Sequence, residues 1–240
     1  MELLVGTLLL RPYVFAFLAA FLIAAAADVG IRRTLGFAGV VWPLAWLAEF
    51  ASTRWGVPFG LYHYTGDTRG RELYVANVPF MDSLSFTFLA YAAFCLARRA
   101  WRGRRPSGAA LAATAGGLMM LLDVVVDPVA VLGDRWFLGR VFYYAEPGAY
   151  FGVPLSNFAG WWLVGALGVG LWLRCSGWSA TDGGQPGFGV GLYYAVLVFN
   201  LAVTAWLQEW LLLAAGVTLH TTVALTAFGL GLLLAPASPA

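Results

Sequence analysis

Seven uncharged and largely apolar runs occupy most of this chain, and they limit the folds open to it more than any other feature. They cover residues 12–27, 34–48, 83–97, 106–122, 155–173, 183–208 and 210–240. A helix rises about 1.5 Å per residue, so roughly 20 mostly apolar residues cross a bilayer, and fewer suffice where flanking groups reach the interface. Each run, with its flanks, meets this requirement, which predicts seven crossings. We expect the last two to be divided near residues 213–218, where Gly216 and His220 interrupt the apolar pattern.

The composition is that of one membrane-embedded domain. With 61% hydrophobic and 11% charged residues among 240, the chain would be insoluble as a globular protein. We therefore predict an all-α integral membrane protein in which residues 1–240 form a single transmembrane domain. The net charge of +2 is too small to indicate a nucleic-acid partner. All fourteen basic residues are arginine, which excludes a retinal protein because its Schiff base needs a lysine amine.

The first apolar run predicts a retained helix and not a cleaved signal peptide. The chain begins Met-Glu with one arginine nearby, and no convincing small-residue cleavage site follows. We expect a multi-pass protein of the bacterial inner (plasma) membrane, surrounded by lipids. Five arginines within residues 98–105 favour a cytoplasmic position for that loop and an external amino terminus.

Most of the polar residues near the apolar runs fall at one end of the helix that carries them. They are Glu49, Asp82, Asp123, Asp127, Asn157, Gln208, Glu209 and His220. Alternating helix direction places all eight in the same half of the membrane, next to the two long loops, with Asp28 at the opposite end. An acid in this setting costs several kcal/mol unless it has a partner or a function. The alternative is that polar residues simply accumulate at helix ends.

The two long loops resemble each other. Trp55 and Trp136 are each followed by a tyrosine seven residues later, and Pro79 and Pro154 by a polar residue three residues later. The likeness predicts two helix–loop–helix units that point the same way, a kind of repeat also found in transporters. Irregular backbone at membrane depth is tolerated only where protein covers it or where it lines a cavity. We therefore expect both loops, rich in Gly, Pro and aromatic residues, to cover one face of the bundle as a lid.

The spacing of two aspartates points to acid–base chemistry. Asp123 and Asp127 are four residues apart and share one face of a helix. Two carboxyl groups so close in a medium of low dielectric constant cannot both ionise readily, so one is expected to carry a proton at neutral pH. Glu49, Asp82 and Glu209 could complete a cluster with one proton donor and one base that activates water. The alternative is a structural network that pairs these acids with Arg54, Arg135 or Arg140.

No arrangement of residues indicates a metal centre of the histidine–cysteine type. The chain has two histidines, and a lone histidine at a helix end more often forms a hydrogen bond than binds a metal. A Mg²⁺ site at Asp123 and Asp127 is chemically reasonable and resembles the second aspartate motif of membrane prenyltransferases. Their first motif is missing, seven spans are too few, and no phosphate loop or dinucleotide fingerprint is present. We therefore expect neither a metal nor another cofactor.

Aromatic residues, which form 16% of the chain, have two expected roles. Most should anchor the helices at the membrane interfaces. In addition, a desolvated cation over a Trp or Tyr face gains about 2 kcal/mol or more. Carboxylic acids, aromatic rings and an apolar slot together suit protonation of an isoprenoid double bond.

A series of motifs between about residues 40 and 165 resembles a known family. The motifs are Glu49; Gly56-Val57-Pro58-Phe59-Gly60-x-Tyr62-x-Tyr64; Val78-Pro79; Asp123; Asp127-Pro128; and Tyr150-Phe151-Gly152-Val153-Pro154-x-x-Asn157-Phe158-x-Gly160-Trp161-Trp162. They resemble those of the membrane carotenoid-biosynthesis hydratases of the CruF type, which include bisanhydrobacterioruberin hydratases and carotenoid 1,2-hydratases. The resemblance implies that water is added across the terminal C1=C2 bond of an acyclic carotenoid end group of the lycopene, γ-carotene or bisanhydrobacterioruberin type. The product would be a tertiary 1-hydroxy carotenoid, formed without a redox cofactor.

The resulting hypothesis divides the site into catalytic and substrate-binding residues. The catalytic candidates are Asp123, Asp127, Glu49 and Asp82. The substrate-binding candidates are Tyr62, Tyr64, Asn157, Trp161, Trp162 and Glu209. A protonated Asp123 or Asp127 would deliver H⁺ to C2, and water held by Glu49, Asp82 or Asn157 would attack C1. We expect the carotenoid to enter sideways from the lipid.

Three other functions stay open at this point. A carotenoid-binding or scaffold protein would hold pigment without forming a product. A small transporter would carry its substrate across the membrane along a path lined by acids through the whole thickness. A Mg²⁺-dependent prenyltransferase would lose activity in EDTA.

Overall fold

The computed structural model describes residues 2–179 and 184–233, which form a helical bundle. The helices are α1 (Glu2–Leu10), α2 (Pro12–Val29), α3 (Ile31–Trp55), α4 (Phe80–Ala100), α5 (Gly108–Ala130), α6 (Leu155–Ser176), α7 (Gly187–Trp206) and α8 (Trp210–Leu233). Helices α2 to α8 are long and apolar enough to cross a membrane. The prediction of an all-α bundle with seven spans is therefore confirmed. Residues 183 and 234–240 of the predicted runs lie outside the described part of the chain.

The division between the last two spans differs from the predicted one. Helix α7 ends at Trp206, and Gln208 turns the chain with a φ of 61°. The amide of Glu209 closes this turn by donating to the Thr204 carbonyl at 3.1 Å. The divide therefore falls at residues 207–209, where the polar Gln-Glu pair interrupts the apolar run, and not near residues 213–218.

Gly216 and His220, which were expected to mark that divide, lie inside α8. A side chain at position 216 would meet Val125 of α5, so this glycine permits a close helix contact. The His220 Nε2 atom lies 2.9 Å from the Leu121 carbonyl oxygen, also on α5. His220 is thus a contact between two helices and does not open the last span.

A short helix, α1, precedes the first span and was not predicted. The Leu73 amide in the first long loop donates to the Thr7 hydroxyl at 3.0 Å. Gly6 lies against the backbone of Arg71, where any side chain would collide with the carbonyl group. Helix α1 is therefore tied to the first loop, and Arg11 lies at the joint between α1 and α2.

The two long loops meet over one face of the bundle, as predicted. They contain the strands β1 (Tyr62–Tyr64), β2 (Tyr74–Val75), β3 (Val78–Pro79) and β4 (Phe142–Tyr144). Strands β1 and β4 pair antiparallel, with Tyr62 opposite Tyr144 and Tyr64 opposite Phe142. Strands β2 and β3 form a hairpin within the first loop. The β1–β4 pairing satisfies the backbone of the loops, as a lid over an apolar interior requires.

Helix α4 lies at the centre of the bundle, and α5 and α6 make the closest helix contact beside it. In α4, 72% of the spanning window is buried, compared with 50% or less in the other helices. Gly116 of α5 and Gly165 of α6 approach each other so closely that a Cβ on Gly165 would lie 3.1 Å from the Gly116 Cα. Small residues allow helices to approach in this way in membranes, where packing drives association.

We predict that Gly116→Ala weakens the bundle, whereas Gly117→Ala does not. A Cβ at position 116 would collide with the backbone of Trp162 and Ala166, but at position 117 it would meet only the Trp162 ring at 3.8 Å. Overpacking of this kind costs about 1–3 kcal/mol, so Gly116→Ala should lower the midpoint of thermal unfolding in detergent. Equal midpoints for the two variants would show that the α5–α6 approach is not tight.

Candidate active site

A cavity lies beneath the loops and extends into the bundle. Its polar end is lined by side chains from α3, α4, α5, α6 and the β1–β4 strands: Glu49, Asp82, Asp127, Asn157, Trp161, Tyr62, Tyr64 and Tyr144. Its apolar end runs between α2 and α7 and includes Val14, Phe17, Phe88, Val196 and Phe199. The cavity therefore joins a cluster of acids to an apolar slot.

Asn157 holds the two aspartates of α5 together. Its Nδ2 atom donates to the Asp123 Oδ2 at 2.6 Å and to the Asp127 Oδ2 at 2.7 Å. The spacing of four residues puts both carboxyl groups on the face of α5 that meets α6, and Asn157 is the third residue of α6. Asp127 lines the cavity, while Asp123 is fully buried beside it. Within the described residues, the second oxygen of Asp123 accepts no hydrogen bond.

Asp82, the third residue of α4, is held by an ion pair with a buried arginine. Arg11 donates from Nη1 to the Asp82 Oδ1 at 2.7 Å. The same guanidinium donates from Nε and Nη2 to the two carboxylate oxygens of Glu72, each at 3.0 Å. Burial lowers the pKa of Arg11, but the Asp82 and Glu72 charges outweigh burial and raise that pKa well above its ordinary value. Arg11 is therefore a permanent cation at the cavity wall.

Glu49 faces the cavity from α3 and lies against two tyrosines of β1. Its carboxyl group interacts with the Tyr64 hydroxyl, and its Oε2 accepts no hydrogen bond from the described residues. Burial raises the pKa of the Tyr62 and Tyr64 hydroxyls, and the Glu49 carboxyl group raises it further. Burial also raises the pKa of Tyr144, with Asp127 adding to the effect. These three hydroxyls stay protonated at neutral pH and can donate hydrogen bonds.

Aromatic rings form much of the remaining wall. Trp161 stacks on Phe86 with a centroid separation of 4.4 Å, and Phe59 lies 5.8 Å from Phe86. At the other end, Tyr13 stacks on Phe199 at 5.3 Å and meets the edge of Phe137 at 5.4 Å. Rings of this kind stabilise a nearby cation through their faces.

The structure brings together most of the residues proposed from the sequence, with two exceptions. Trp162 is 43% exposed on the outside of α6 and donates to the Ala113 carbonyl at 3.1 Å. Successive residues of a helix point about 100° apart, so Trp161 and Trp162 cannot both face the cavity. Glu209 forms an ion pair with Arg135 in the connection between α7 and α8. Neither Trp162 nor Glu209 lines the cavity.

The arginines suggested as structural partners of the acids lie elsewhere. Arg54 donates to Asn77 and to the Phe50 carbonyl, and Arg135 pairs with Glu209. Arg140 lies near Gly133 in the second loop. Among the described residues, no arginine forms an ion pair with Glu49, Asp123 or Asp127.

Sequence reasoning missed Arg11 and Glu72 as parts of the site. Arg11 was noted only as an arginine near the start of the chain, and Glu72 was not singled out. One signal was present in the sequence: Arg11 is the single charged residue between positions 3 and 27. A lone cation beside an apolar span needs an acid as its partner.

The cluster contains more carboxyl groups than cations, which favours carboxyl groups that keep their protons. One guanidinium, that of Arg11, accompanies five carboxyl groups in or beside the site, those of Glu49, Glu72, Asp82, Asp123 and Asp127. Complete ionisation would leave four uncompensated negative charges in a mostly apolar site. The arrangement can therefore hold a neutral carboxylic acid beside an ionised carboxylate, as general acid–base catalysis requires. Within residues 2–179 and 184–233, no group of three or more His, Cys, Asp or Glu side chains has the geometry of a metal site.

Fold and cavity together define a multi-pass membrane protein whose cavity joins a cluster of acids to an apolar slot. The chain belongs to the family described as carotenoid biosynthesis protein, whose model matches residues 9–225. Over 121 residues it is 31% identical to the bisanhydrobacterioruberin hydratase of Haloarcula japonica. That match covers 50% of this chain and 38% of the relative. No solved structure matches the chain.

We predict that Asn157→Leu destabilises the fold much more than Asn200→Leu. Asn157 bridges two carboxyl groups of another helix, whereas the Asn200 amide donates to the Val196 carbonyl of its own helix at 2.9 Å. Hydrogen bonds to charged groups contribute about 1.5–3 kcal/mol each and neutral ones about 1 kcal/mol. Denaturant unfolding of both variants in the same detergent measures the difference. Equal losses would mean that the Asn157 bridge does not hold α5 to α6.

Proposed function

We propose that this protein is a cofactor-independent hydratase that adds water across the terminal C1=C2 bond of an acyclic carotenoid end group. The substrate would be of the lycopene, γ-carotene or bisanhydrobacterioruberin type, and the product a tertiary 1-hydroxy carotenoid. The observation that carries the proposal is the acid cluster at the polar end of an otherwise apolar, aromatic cavity. Membership of a carotenoid biosynthesis family and the likeness to a named hydratase support it.

The first step is protonation of the alkene by Asp127. This residue lines the cavity and shares the Asn157 amide with Asp123. One proton held by the Asp123–Asp127 pair moves to C2, and the C1=C2 electron pair forms the new C–H bond. A tertiary cation results at C1. The wall formed by Trp161 and Phe86 lowers its energy, because aromatic faces attract a desolvated cation.

The second step is capture of the cation by water. Glu49, Asp82 and the Tyr64 hydroxyl surround the polar end of the cavity and can hold a water molecule there. Its oxygen forms a bond to C1, and a carboxylate takes the proton that is released. The proton returns to the aspartate pair through the polar cluster, so the reaction consumes only water and alkene.

The carotenoid enters from the lipid between α2 and α7. Both helices lie at the edge of the bundle, because only 22% and 33% of their spanning windows are buried. Val14 and Phe17 of α2 and Val196 and Phe199 of α7 line the apolar end of the cavity, where the Phe17 and Phe199 rings are in contact with a centroid separation of 5.6 Å. The long polyene would displace these rings and pass between α2 and α7 while one end group reaches the acids. A bacterial plasma membrane is the proposed location, where lipids surround the protein.

The direct test is hydration in isotopically labelled water. Purified protein in lipid vesicles, supplied with lycopene in H₂¹⁸O and EDTA, should form 1-hydroxy carotenoid carrying ¹⁸O, detected by mass spectrometry. Asp127→Asn should lower turnover by about 10²- to 10⁴-fold, the usual contribution of a general acid. Asp134→Asn, a change of an exposed acid in the second loop, is the matched control and should keep full activity.

Other results of this test would identify other functions. Bound pigment without product would indicate a carotenoid-binding protein, and activity lost in EDTA would indicate a metal-dependent enzyme. Flux of substrate across vesicles would indicate a transporter. Full turnover in both Asp123→Asn and Asp127→Asn would disprove the assignment of the proton donor.

The entry route predicts that Val196→Phe impairs turnover and Val198→Phe does not. Val196 is buried in the wall of the slot, whereas Val198, on the same helix, is 62% exposed. A larger ring at position 196 would narrow the slot, and KM for lycopene should rise by roughly tenfold, equivalent to about 1.4 kcal/mol of lost binding. Steady-state kinetics in vesicles, with unfolding midpoints as a check on the fold, measure the effect. If the two variants have the same KM, the substrate takes another path.

A further inference from the structure

Buried Arg11, at the joint between α1 and α2, links buried Glu72 of the first loop to the partly exposed Asp82 of α4, and the proposed reaction gives no role to Arg11 or Glu72. Arg11 and Glu72 are 1% and 2% exposed, and Arg11 contacts Asp82 and both oxygens of Glu72. Of the two acids, Asp82 lines the cavity, as Arg11 does. A paired cation and two anions leave one negative charge, and the geometry directs that charge towards the cavity.

We infer that Glu72 and Arg11 are positioning residues that keep Asp82 ionised and aimed at the cavity, where Asp82 acts as the base of the hydration step. This inference rests on the proposed function. It assigns the donor and the acceptor of protons to different acids: the Asp123–Asp127 pair gives the proton, and Asp82 receives one from the attacking water.

Glu72 has a distinct electrostatic task in this arrangement. Arg11 alone would hold Asp82 in place but would also cancel its charge. The bidentate contact with Glu72 neutralises the guanidinium, because paired charge-assisted hydrogen bonds of this geometry are strong. The charge on Asp82 is then free to stabilise the cation at C1, and preorganised charges of this kind are a major source of rate enhancement.

Asp82, although paired with Arg11, can accept the proton that the attacking water releases. When water bonds to C1, the oxygen bears a positive charge, and a protonated alcohol is a very strong acid. A carboxylate stabilised by Arg11 is basic enough to accept that proton. Protonated Asp82 then returns the proton to the Asp123–Asp127 pair by way of Glu49 or water. The acids around Asp82 are Glu72 from the first loop, Glu49 from α3 and Asp127 from α5, and Arg11 is its cation.

The experiment separates proton donation from water capture. In D₂O, the donor places deuterium on C2, and the cation then either captures water or loses a proton to become an alkene again. Deuterium in unhydrated carotenoid reports donation alone, and deuterated alcohol reports both steps. We expect Glu72→Gln to lower hydration by roughly 10- to 100-fold, which is less than the roughly 10²- to 10³-fold cost of losing a group that contacts the reacting atoms, because Glu72 acts through Arg11. The ratio of exchanged alkene to alcohol should rise by a similar factor.

Matched variants distinguish positioning from a purely structural effect. Asp82→Asn should raise the same ratio, because it removes the base itself, and Glu72→Asp should recover part of the lost hydration. Glu146→Gln, a change of an exposed acid in the second loop, should behave as the unchanged protein does. Asp127→Asn should lower exchange and hydration together.

Two results would overturn the inference. One is a Glu72→Gln protein with the wild-type ratio of exchange to hydration, whatever its total activity, since a loss of folded protein reduces both products equally. The other is an unchanged ratio in Asp82→Asn. If the unaltered protein forms neither alcohol nor exchanged alkene, the proposed function itself fails, which is a separate outcome.

Discussion

Charge in a medium of low dielectric constant needs a partner, and this constraint orders the whole polar end of the molecule. Arg11 is the clearest case, because its guanidinium is buried and binds two acids that are far apart in the sequence. These contacts fasten α1 and α2 to the first loop and to α4. A buried ion pair of this kind is costly to form and more costly to break. Its geometry is therefore fixed, as a catalytic group requires.

The same constraint explains why the loops form strands. Loop backbone above an apolar cavity cannot leave its amide and carbonyl groups unpaired. The β1–β4 pairing solves this and at the same time places Tyr62, Tyr64 and Tyr144 over the acids. The two loops resemble each other in sequence, but that likeness does not reveal which strand pairs with which. Register depends on contacts between residues some 80 positions apart, such as Tyr62 and Tyr144.

Periodicity and polarity predicted the spans well because hydrophobic length is a local property. They also predicted that Glu49, Asp82, Asp127 and Asn157 would meet, since alternating direction alone brings them to one side. They failed where the rotation of a helix about its own axis determines which side chains face the cavity. Trp162 follows Trp161 directly, yet faces outwards. The boundary between the last two spans was predicted at the wrong place. Gly216 and His220 interrupt the apolar pattern of the sequence but do not interrupt the helix.

The Arg11 contacts could not be predicted either, since a charge in a short terminal segment can reach any acid on its side of the membrane. Only folding determines that α1 lies against the first loop, through Thr7 and Leu73, and so brings Arg11 to Glu72. The sequence indicates that a partner is needed. It does not indicate which acid supplies it.

The position of the acids in the membrane bears on how the reaction is supplied. At the opposite end of the bundle, Asp28 accepts hydrogen bonds from Tyr91 and Arg98, and a centre of rings from Phe21, Phe37, Tyr91, Phe94 and Trp172 lies between that pair and the cavity. Among the described residues, this apolar layer contains no acid that could carry a proton. The acids therefore favour a supply of protons from the loop side, and in the proposed reaction a carotenoid would come from the lipid between α2 and α7. The two reactants would then meet where the acids end and the slot begins, an arrangement that suits addition of water to the end of a polyene.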